Sequence, residues 1–448
     1  MNFSHLRYNL LLLLGSPIIV LYLMQRVVCG KSRQGWAERW GRLPEKMLWK
    51  PTSKPIVWIH AVSAGEVVAA VPIIRELRAL LPNHQLLLSV ITPAGHEIAT
   101  QQAQKFVDGI FYLPFDFPWV VNSVVKRIHP ALFISLESEL WPNLLHELKK
   151  QGAKTVMVNG RISEKSFTRS KKYASWLFEW MLANMDSLLM QSESDARRIM
   201  QLAGSEVKSD KIQVVGNSKF DQEVARLSQQ EAGALRAELG FPQSAPIFVV
   251  GSSRSPEEEA IVIEAYLAMR AKFSELCLLI APRQIERAEE LAQAMRNAGL
   301  TPIRRTQLKT QNFAEVRHLI LDTIGELANV YALATFAFVG NSFDPVVKGG
   351  GQNLIQPLAH GKLALFGPRH ATIRSEVALV LDAGVGFEVK DGKSLAEEGI
   401  RLLEGEDYLN QIERKALALV QANRGVSKKY AALAIKTLQS NTVHRSDT

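Results

Sequence analysis

From Pro55 onward, short apolar runs rich in β-branched residues alternate with amphipathic helical patterns. In the first half the runs fall at Ile56–His60, 86–91, Leu132–Leu136, 155–159, Ser187–Met190 and 212–215, with helical patterns between them such as 141–150 and 167–185. Strands that are apolar throughout, each followed by a helix, predict a parallel sheet covered on both faces. Pro72 lies inside the first helical pattern, from about 66 to 81, and predicts a kink there. The rhythm stops over 220–239, a charged helical stretch with no apolar run beside it. It resumes with runs at 247–250, 276–281, 319–321, Phe336–Val339 and 363–366, separated by helices such as Pro256–Lys272, 287–298 and 324–334. Two successive doubly wound, Rossmann-like domains follow, with a boundary near 216–241 and a mutual cleft as the expected ligand site.

The N-terminus breaks this pattern. Residues 8–24 are apolar apart from Asn9, Gly15 and Ser16, and Arg7 and Arg26 flank them. At about 1.5 Å rise per residue the run is slightly short for a ~30 Å hydrocarbon core, so a single span and an embedded anchor are both open. No small-residue cleavage site follows, which argues against a removed signal peptide. A basic stretch follows instead, with Lys31, Arg33, Arg39, Arg42 and Lys46 interleaved with Trp36 and Trp40. Positive flanks face the cytoplasm, and tryptophans suit a membrane interface. The expected organisation is therefore an anchor and interfacial segment at 1–50, a first domain at 51–220, and a linker at 221–240. A second domain occupies 241–440, and a polar tail 441–448.

Charge and cysteine content narrow the partners. A net charge of +9 over 448 residues favours anionic partners. No nucleic-acid motif accompanies it and no helix pattern carries a dense Arg/Lys stripe, so phosphorylated lipid or a membrane surface is the better match. The two cysteines, Cys29 and Cys277, have no neighbours at metal-ligand spacing, and no Asp-x-Asp pair occurs. No zinc site, disulfide framework or metal-bridged diphosphate mechanism is supported.

Candidate chemistry collects where strands end. His60-Ala-Val-Ser-Ala-Gly-Glu66 carries the first strand into its helix. Gly65 admits close approach of another molecule, and Glu66 sits in the first helical turn, where the dipole favours a carboxylate. Such a group could take a proton from an incoming hydroxyl. Ser63-x-x-Glu66 also spells a capping box, the commoner use of that pattern. Glu137-Ser-Glu139 ends the strand Leu132–Leu136; Glu139 also fits the start of the next helix. Arg161 and Lys219 add cations after two further strands, and Arg283 follows 276–281. Asp322-Thr-Ile-Gly-Glu326 opens another helix. The glycines 349–351 precede a short helix, where backbone N–H groups could receive a phosphate. His60, His96 and His370 are isolated and read as structural.

Taken in order, HAVSAGE, ESELWPN, NGRISEKSF, GNSKFD, GSSRSPEEE, APRQIER, DTIGELANVYALA and GGGQNLIQP resemble the 3-deoxy-D-manno-octulosonic acid (Kdo) transferases of lipopolysaccharide assembly. The resemblance covers nearly the whole chain. It implies an α/β fold of GT-B type, two Rossmann-like domains facing a cleft, anchored by an N-terminal helix at the cytoplasmic face of the bacterial inner membrane. It implies transfer of Kdo from CMP-Kdo to a phosphorylated lipid A precursor, with inversion and without a metal or other cofactor. By the same resemblance Glu66 is the general base, and Glu137 and Lys219 stabilise the transition state. CMP contacts fall on Pro282, Arg283, Ile324, Gly325, Glu326, Asn353, Leu354, Ile355 and Gln356.

The chain departs from the family at the donor site. Where relatives usually read G-G-H-N-P-L-E-P, this chain has Gly350-Gly-Gln-Asn-Leu-Ile-Gln-Pro357, so Gln356 replaces a carboxylate. Gln284 stands where the family often has His. An uncharged amide still accepts a hydrogen bond from a ribose hydroxyl, but more weakly. Two alternatives stay open on the residues alone. One is a membrane-associated GT-B enzyme that uses a UDP-sugar. The other is a non-catalytic, membrane-tethered module that binds anionic lipid.

Overall fold

A computed structural model describes residues 3–28, 34–44, 54–205, 207–222, 226–308, 310–311, 313, 315–343 and 350–440. Lys31, Arg33, Lys46, Cys29, Gly349 and the tail 441–448 lie outside the described residues.

The chain forms two compact units, Met1–Gln222 with Asn423–Thr448, and Glu223–Ala422. Each holds a seven-stranded sheet, and every strand pair is parallel. In the first unit the order is β3-β2-β1-β4-β5-β6-β7. Its strands are β1 (Ile56–His60), β2 (Gln85–Val90), β3 (Gly109–Tyr112), β4 (Leu132–Leu136), β5 (Lys154–Gly160), β6 (Ser187–Met190) and β7 (Ile212–Val214). In the second the order is β10-β11-β9-β8-β12-β13-β14. Its strands are β8 (Ile247–Ser253), β9 (Cys277–Pro282), β10 (Ile303–Arg304), β11 (His318–Ile320), β12 (Phe336–Val339), β13 (Ala364–Phe366) and β14 (Gly386–Glu388). Winding outward from β1 and then returning to β4 puts a topological switch point between them, and β8 and β12 repeat the arrangement. Open α/β sheets bind ligands outside the strand ends at such points. The central strands are buried on both faces, β4 and β9 along their full length, which explains their unbroken apolar sequences.

Three strands escape the hydrophobic pattern: β3, β10 and β14. Each is a sheet edge; β10 and β14 are only two and three residues long and bury little, while β3 buries Phe111 and Tyr112 but spans only four residues. The helix after β1, α1 (Ala64–Leu80), continues through Pro72.

The second expected domain ends too late. The helix α2 (Val426–Gln439) belongs to the first unit. Val426, Tyr430, Ala431 and Ala434 join the core around β1 and β4. The Tyr430 hydroxyl donates to the Gly216 carbonyl at 2.6 Å, and the Asp221 carboxylate accepts from the Gly425 N–H at 2.6 Å. The alternation alone could not show that the last helix returns. The expected linker, by contrast, is mostly second-unit structure: the helix Gln229–Glu238 opens on a Ser228/Glu231 capping box and leads Leu239 and Phe241 into the core beneath β8.

The N-terminal helix Phe3–Val28 has two distinct faces. One is docked on the first unit by polar contacts. Tyr8 donates to Asp116 at 3.0 Å, Asn9 and Asn143 exchange hydrogen bonds at 3.0 Å, and His5 stacks on His146 at 3.8 Å. The other exposes Leu6, Leu10, Leu13, Leu14 and Ile18. Among the described residues, no helix is long and apolar enough to cross a membrane. Arg39, expected in a basic interfacial flank, is buried, with its guanidinium 4.6 Å from the Tyr112 ring centre. Conversely, Glu164–Tyr173 is a denser basic helix than the sequence pattern suggested. Lys165, Arg169, Lys171 and Lys172 occupy it and none of its residues is buried.

Candidate active site

In the first unit, β1 ends at His60 and α1 starts at Ala64. The expected capping box does not form. Ser63 sits at the N-cap without accepting a helix N–H; its hydroxyl instead donates to Glu66 Oε1 at 3.1 Å. The Val62 N–H donates to Glu66 Oε2 at 2.8 Å. These two bonds orient the carboxylate at the strand's carboxyl end. Beside it, a side chain at Gly65 would meet nothing within 4 Å, so the approach is open.

Glu66 titrates far from an ordinary carboxyl group. Burial, then the negative charge of Glu137, raises its pKa to about 8; Glu139 adds to the rise, and the bonds from Val62 and Ser63 oppose it. Glu139 is pushed up to about 7 by burial and by Glu137. Three carboxylates thus share one electrostatic neighbourhood, in which the Glu137 charge raises the other two. Glu137 takes a left-handed φ of 54°, an uncommon conformation for a residue with a side chain. Its N–H donates to the Val158 carbonyl at 3.0 Å, and Oε2 lies 3.2 Å from Arg161 Nε. Glu139 does not begin the next helix, which starts at Pro142.

Lys219 lies in the short turn Ser218–Asp221. The Ser218 N–H donates to Asn159 Oδ1 at 3.1 Å, and its hydroxyl to the Ala69 carbonyl at 3.0 Å. That turn is therefore fastened to α1 about one helical turn past Glu66. His60 keeps a structural role: it is buried, bonded to Ser89, and held neutral by a pKa lowered to about 4. His96 stacks on Tyr112 and His370 pairs with Glu388.

The second unit holds a cavity of ≈ 310 Å³ at the carboxyl ends of its strands. Arg283, Gly325, Asn353 and Gln356 line it, together with Ser252, Tyr331 and Gln352. The Arg283 guanidinium donates to the Gln352 side chain, and burial with the nearby Arg254 charge lowers its pKa. Two cations crowded at one edge favour an anion there. The Asn353 side chain accepts the Ile355 N–H at 2.9 Å, which fixes the turn into the following helix.

The other expected donor residues are placed differently. Leu354 and Ile355 are buried in the core. Ile324 is 84% exposed and does not line the cavity. Pro282 ends β9 inside the sheet. Glu326 is engaged by Arg305 at 3.1 Å. The glycine turn is committed internally as well: Gly351 N–H donates to the Asn341 carbonyl at 2.8 Å, and a Cβ at Gly350 would fall 2.2 Å from the Arg369 carbonyl. These glycines serve close packing, and the phosphate reading of the turn loses the Gly351 donor. Ser252, Tyr331 and Gln352 are additions. Ser252 has a left-handed φ of 61°, a conformation no sequence pattern announces.

The second unit also repeats the Glu66 motif. Ser255-x-x-Glu258 follows β8 as Ser63-x-x-Glu66 follows β1, at the start of the helix Pro256–Lys272. Here the carboxylate is fully buried and accepts four backbone N–H groups: Arg254 at 3.0 Å, Asn341 at 2.8 Å, Ser342 at 2.9 Å and Phe343 at 3.1 Å. Among the described residues, no group of three or more His, Cys, Asp or Glu side chains could hold a metal ion.

Comparison with known proteins bears on this geometry. A family model described as 3-deoxy-D-manno-octulosonic-acid transferase (kdotransferase) matches residues 34–222. A 3-deoxy-D-manno-octulosonic acid transferase of Haemophilus influenzae is 29% identical over 440 residues, covering 97% of this chain and 99% of that protein. One from Chlamydia trachomatis is 31% identical over 342 residues, covering 76% of this chain and 75% of its own length. Among solved structures, a glycosyltransferase from Rickettsia africae superimposes with a TM-score of 0.58 at 15% identity, over 87% of this chain and 100% of that one. That likeness shows the fold, a GT-B-like pair of parallel sheets.

Proposed function

The chain belongs to the 3-deoxy-D-manno-octulosonic-acid transferase family, and from that premise we propose that it moves Kdo from CMP-Kdo to a phosphorylated lipid A precursor, with Glu66 as the general base. The enzyme is a glycosyltransferase of lipopolysaccharide assembly. One observation carries the assignment of the base. Two S-x-x-E boxes occupy equivalent places in the two units, yet only Glu258 is saturated by backbone amides. Glu66 has two donors and two carboxylate neighbours that oppose its ionisation. A carboxylate kept hungry for a proton at a strand's open end is suited to general-base work near neutral pH.

In the proposed reaction Glu66 takes the proton of the acceptor hydroxyl as that oxygen bonds the anomeric carbon of Kdo. The anomeric C–O bond to the phosphate breaks on the opposite face, CMP leaves with the electron pair, and configuration inverts. CMP occupies the 310 Å³ cavity, where Arg283 balances the phosphate and the Gln356 amide accepts from the ribose. Lys219 and Glu137, the latter paired with Arg161, stabilise charge that develops around the reacting carbon. A donor with a single phosphate needs no metal clamp, so turnover is expected to survive chelation.

The proposed location is the cytoplasmic face of the inner membrane. The exposed apolar stripe of helix Phe3–Val28 would lie in the interface, as amphipathic anchors do. The basic helix Glu164–Tyr173 adds attraction for anionic lipid. Mass spectrometry of the lipid formed from CMP-Kdo and a lipid A precursor tests the whole reading. A product only with a UDP-sugar, or none from the folded protein, would overturn it.

A further inference from the structure

A second cavity, ≈ 480 Å³ and larger than the donor cavity, opens among residues that precede strands of the second unit. Its lining includes Lys362, Arg236, Gln243, Thr335, Asn410 and Glu413. Lys362 is half-buried, and among the described residues its amine makes no hydrogen bond or ion pair. Arg236 spends Nε on the Pro242 carbonyl at 2.7 Å and Nη2 on the Ala245 carbonyl, which leaves its charge unneutralised. Glu413 is already paired with Arg226 at 2.5 Å. Glu406 lines the cavity too, so two cations and two carboxylates face it, one of the carboxylates shared with Arg226 outside the lining. Burial and Arg226 lower the Lys362 pKa, against the attraction of Glu413; an anion would relieve both effects. Amide side chains beside two under-compensated cations are the chemistry that recognises a phosphate or similar oxyanion.

The position of this cavity gives it a consequence. Leu327, Ala328 and Tyr331 line the donor cavity, and the same segment continues into Ala332, Leu333 and Ala334, which line the second one. Likewise Gln352, Asn353 and Gln356 face the donor cavity, while Gly361, Lys362 and Leu363, after the short helix Ile355–Ala359, face the second. His360 Nε2 lies 2.8 Å from the Ala328 carbonyl and ties the two segments together. We propose that the second cavity binds a small phosphate-bearing anion, and that the two shared segments couple its occupancy to donor affinity. This goes beyond the transfer reaction, because Glu66 takes no part in it.

The test uses the full-length protein in detergent, titrated calorimetrically with inorganic phosphate at constant ionic strength and saturating CMP. With the donor cavity filled, phosphate should still bind. Lys362→Met should weaken it about tenfold, the loss of one charge-assisted bond, and Arg283→Ala should leave it unchanged. A Cβ added at Gly233, in the cavity wall, would meet nothing within 4 Å. Gly233→Met should therefore fill the space without strain, and it decides the matter if Lys362→Met does not fold. CMP affinity should shift at least about threefold between zero and saturating phosphate, and by linkage phosphate affinity should shift equally with CMP. No phosphate binding, binding lost when CMP is present, or wild-type affinity in both Lys362→Met and Gly233→Met would overturn the site. A CMP affinity indifferent to phosphate would overturn the coupling.

Discussion

Replacing Glu66 by Gln isolates the proton-transfer role, because the amide keeps the shape and still accepts one of the bonds from Val62 or Ser63. A positioned base contributes roughly 10² to 10⁴ in rate, about 2.7–5.5 kcal/mol of barrier. With a pKa of about 8, only about a tenth of the free enzyme carries ionised Glu66 at pH 7. The wild-type kcat/KM should therefore rise roughly tenfold from pH 7 to pH 9 and then level off. Glu66→Gln should be slow and flat across that range. Glu137→Gln should shift the rising limb toward acid, since the Glu137 charge is the largest electrostatic cause of the raised value. Stability should run the other way. A folded pKa above the unfolded value of 4.5 gives a contribution that is full below that pH and is lost as pH rises through about 8. Above pH 8 the Gln variant should then be at least as resistant to urea as wild type. CMP affinity should be untouched. A folded Glu66→Gln enzyme within a few-fold of wild-type kcat/KM at pH 8 would refute the base assignment, and Glu137 would be next in line.

Arg283→Ala should weaken CMP binding about tenfold or more by calorimetry, with Arg283→Lys recovering part of the loss; unchanged affinity would remove Arg283 from the phosphate site. Gln356→Glu should tighten CMP if the side chain meets the ribose hydroxyls, and leave it unchanged if it meets none. Changing Leu10, Leu13, Leu14 and Ile18 together to Ser should release the enzyme from anionic vesicles in a flotation assay, while soluble-acceptor turnover persists. Tyr430→Phe removes the bond to the Gly216 carbonyl and should cost about 1 kcal/mol in urea unfolding. A larger loss would mean that α2 leaves the first unit altogether.

How much was legible follows from what each position needs. Strands buried on both faces must be apolar throughout, so the central ones announce themselves. The edges β10 and β14 are two and three residues long and bury little, and β3 is a four-residue run, so none of them makes a long apolar signal. Glu66, Glu137 and Lys219 fall where the sequence placed them because a strand end followed by a helix is a local event. The donor site is less legible, since a turn selects residues for packing as well as for contact. Gly350 and Gly351 resemble a phosphate loop, yet the room they provide is taken by Arg369 and Ile373. Leu354 and Ile355 sit between cavity-lining residues but are buried in the core. Arg39 shows the converse error: a basic residue beside tryptophans resembles a membrane flank, but its buried guanidinium donates to the Ile91 carbonyl and lies over Tyr112.

The two S-x-x-E boxes show why a motif alone underdetermines a role. Both glutamates occupy the third position of a helix, and each accepts the N–H of the residue before its N-cap. The adjacent loops decide the difference. After β12, three successive N–H groups converge on Glu258, so its charge is satisfied and its task is to hold that loop. After β4 the corresponding loop supplies Glu137 and Glu139, and burial together with their charges makes ionisation of Glu66 costly. On the proposed mechanism the same side chain is a structural pin where the neighbouring loop offers donors, and the proton acceptor where it offers like charge. Burying an unsaturated carboxylate among others destabilises the fold, and the structure retains that cost at one of the two equivalent places only. Where the loop sequence changes from Asn341-Ser-Phe to Glu137-Ser-Glu, the surroundings of the preceding helix's glutamate change from backbone donors to like charge.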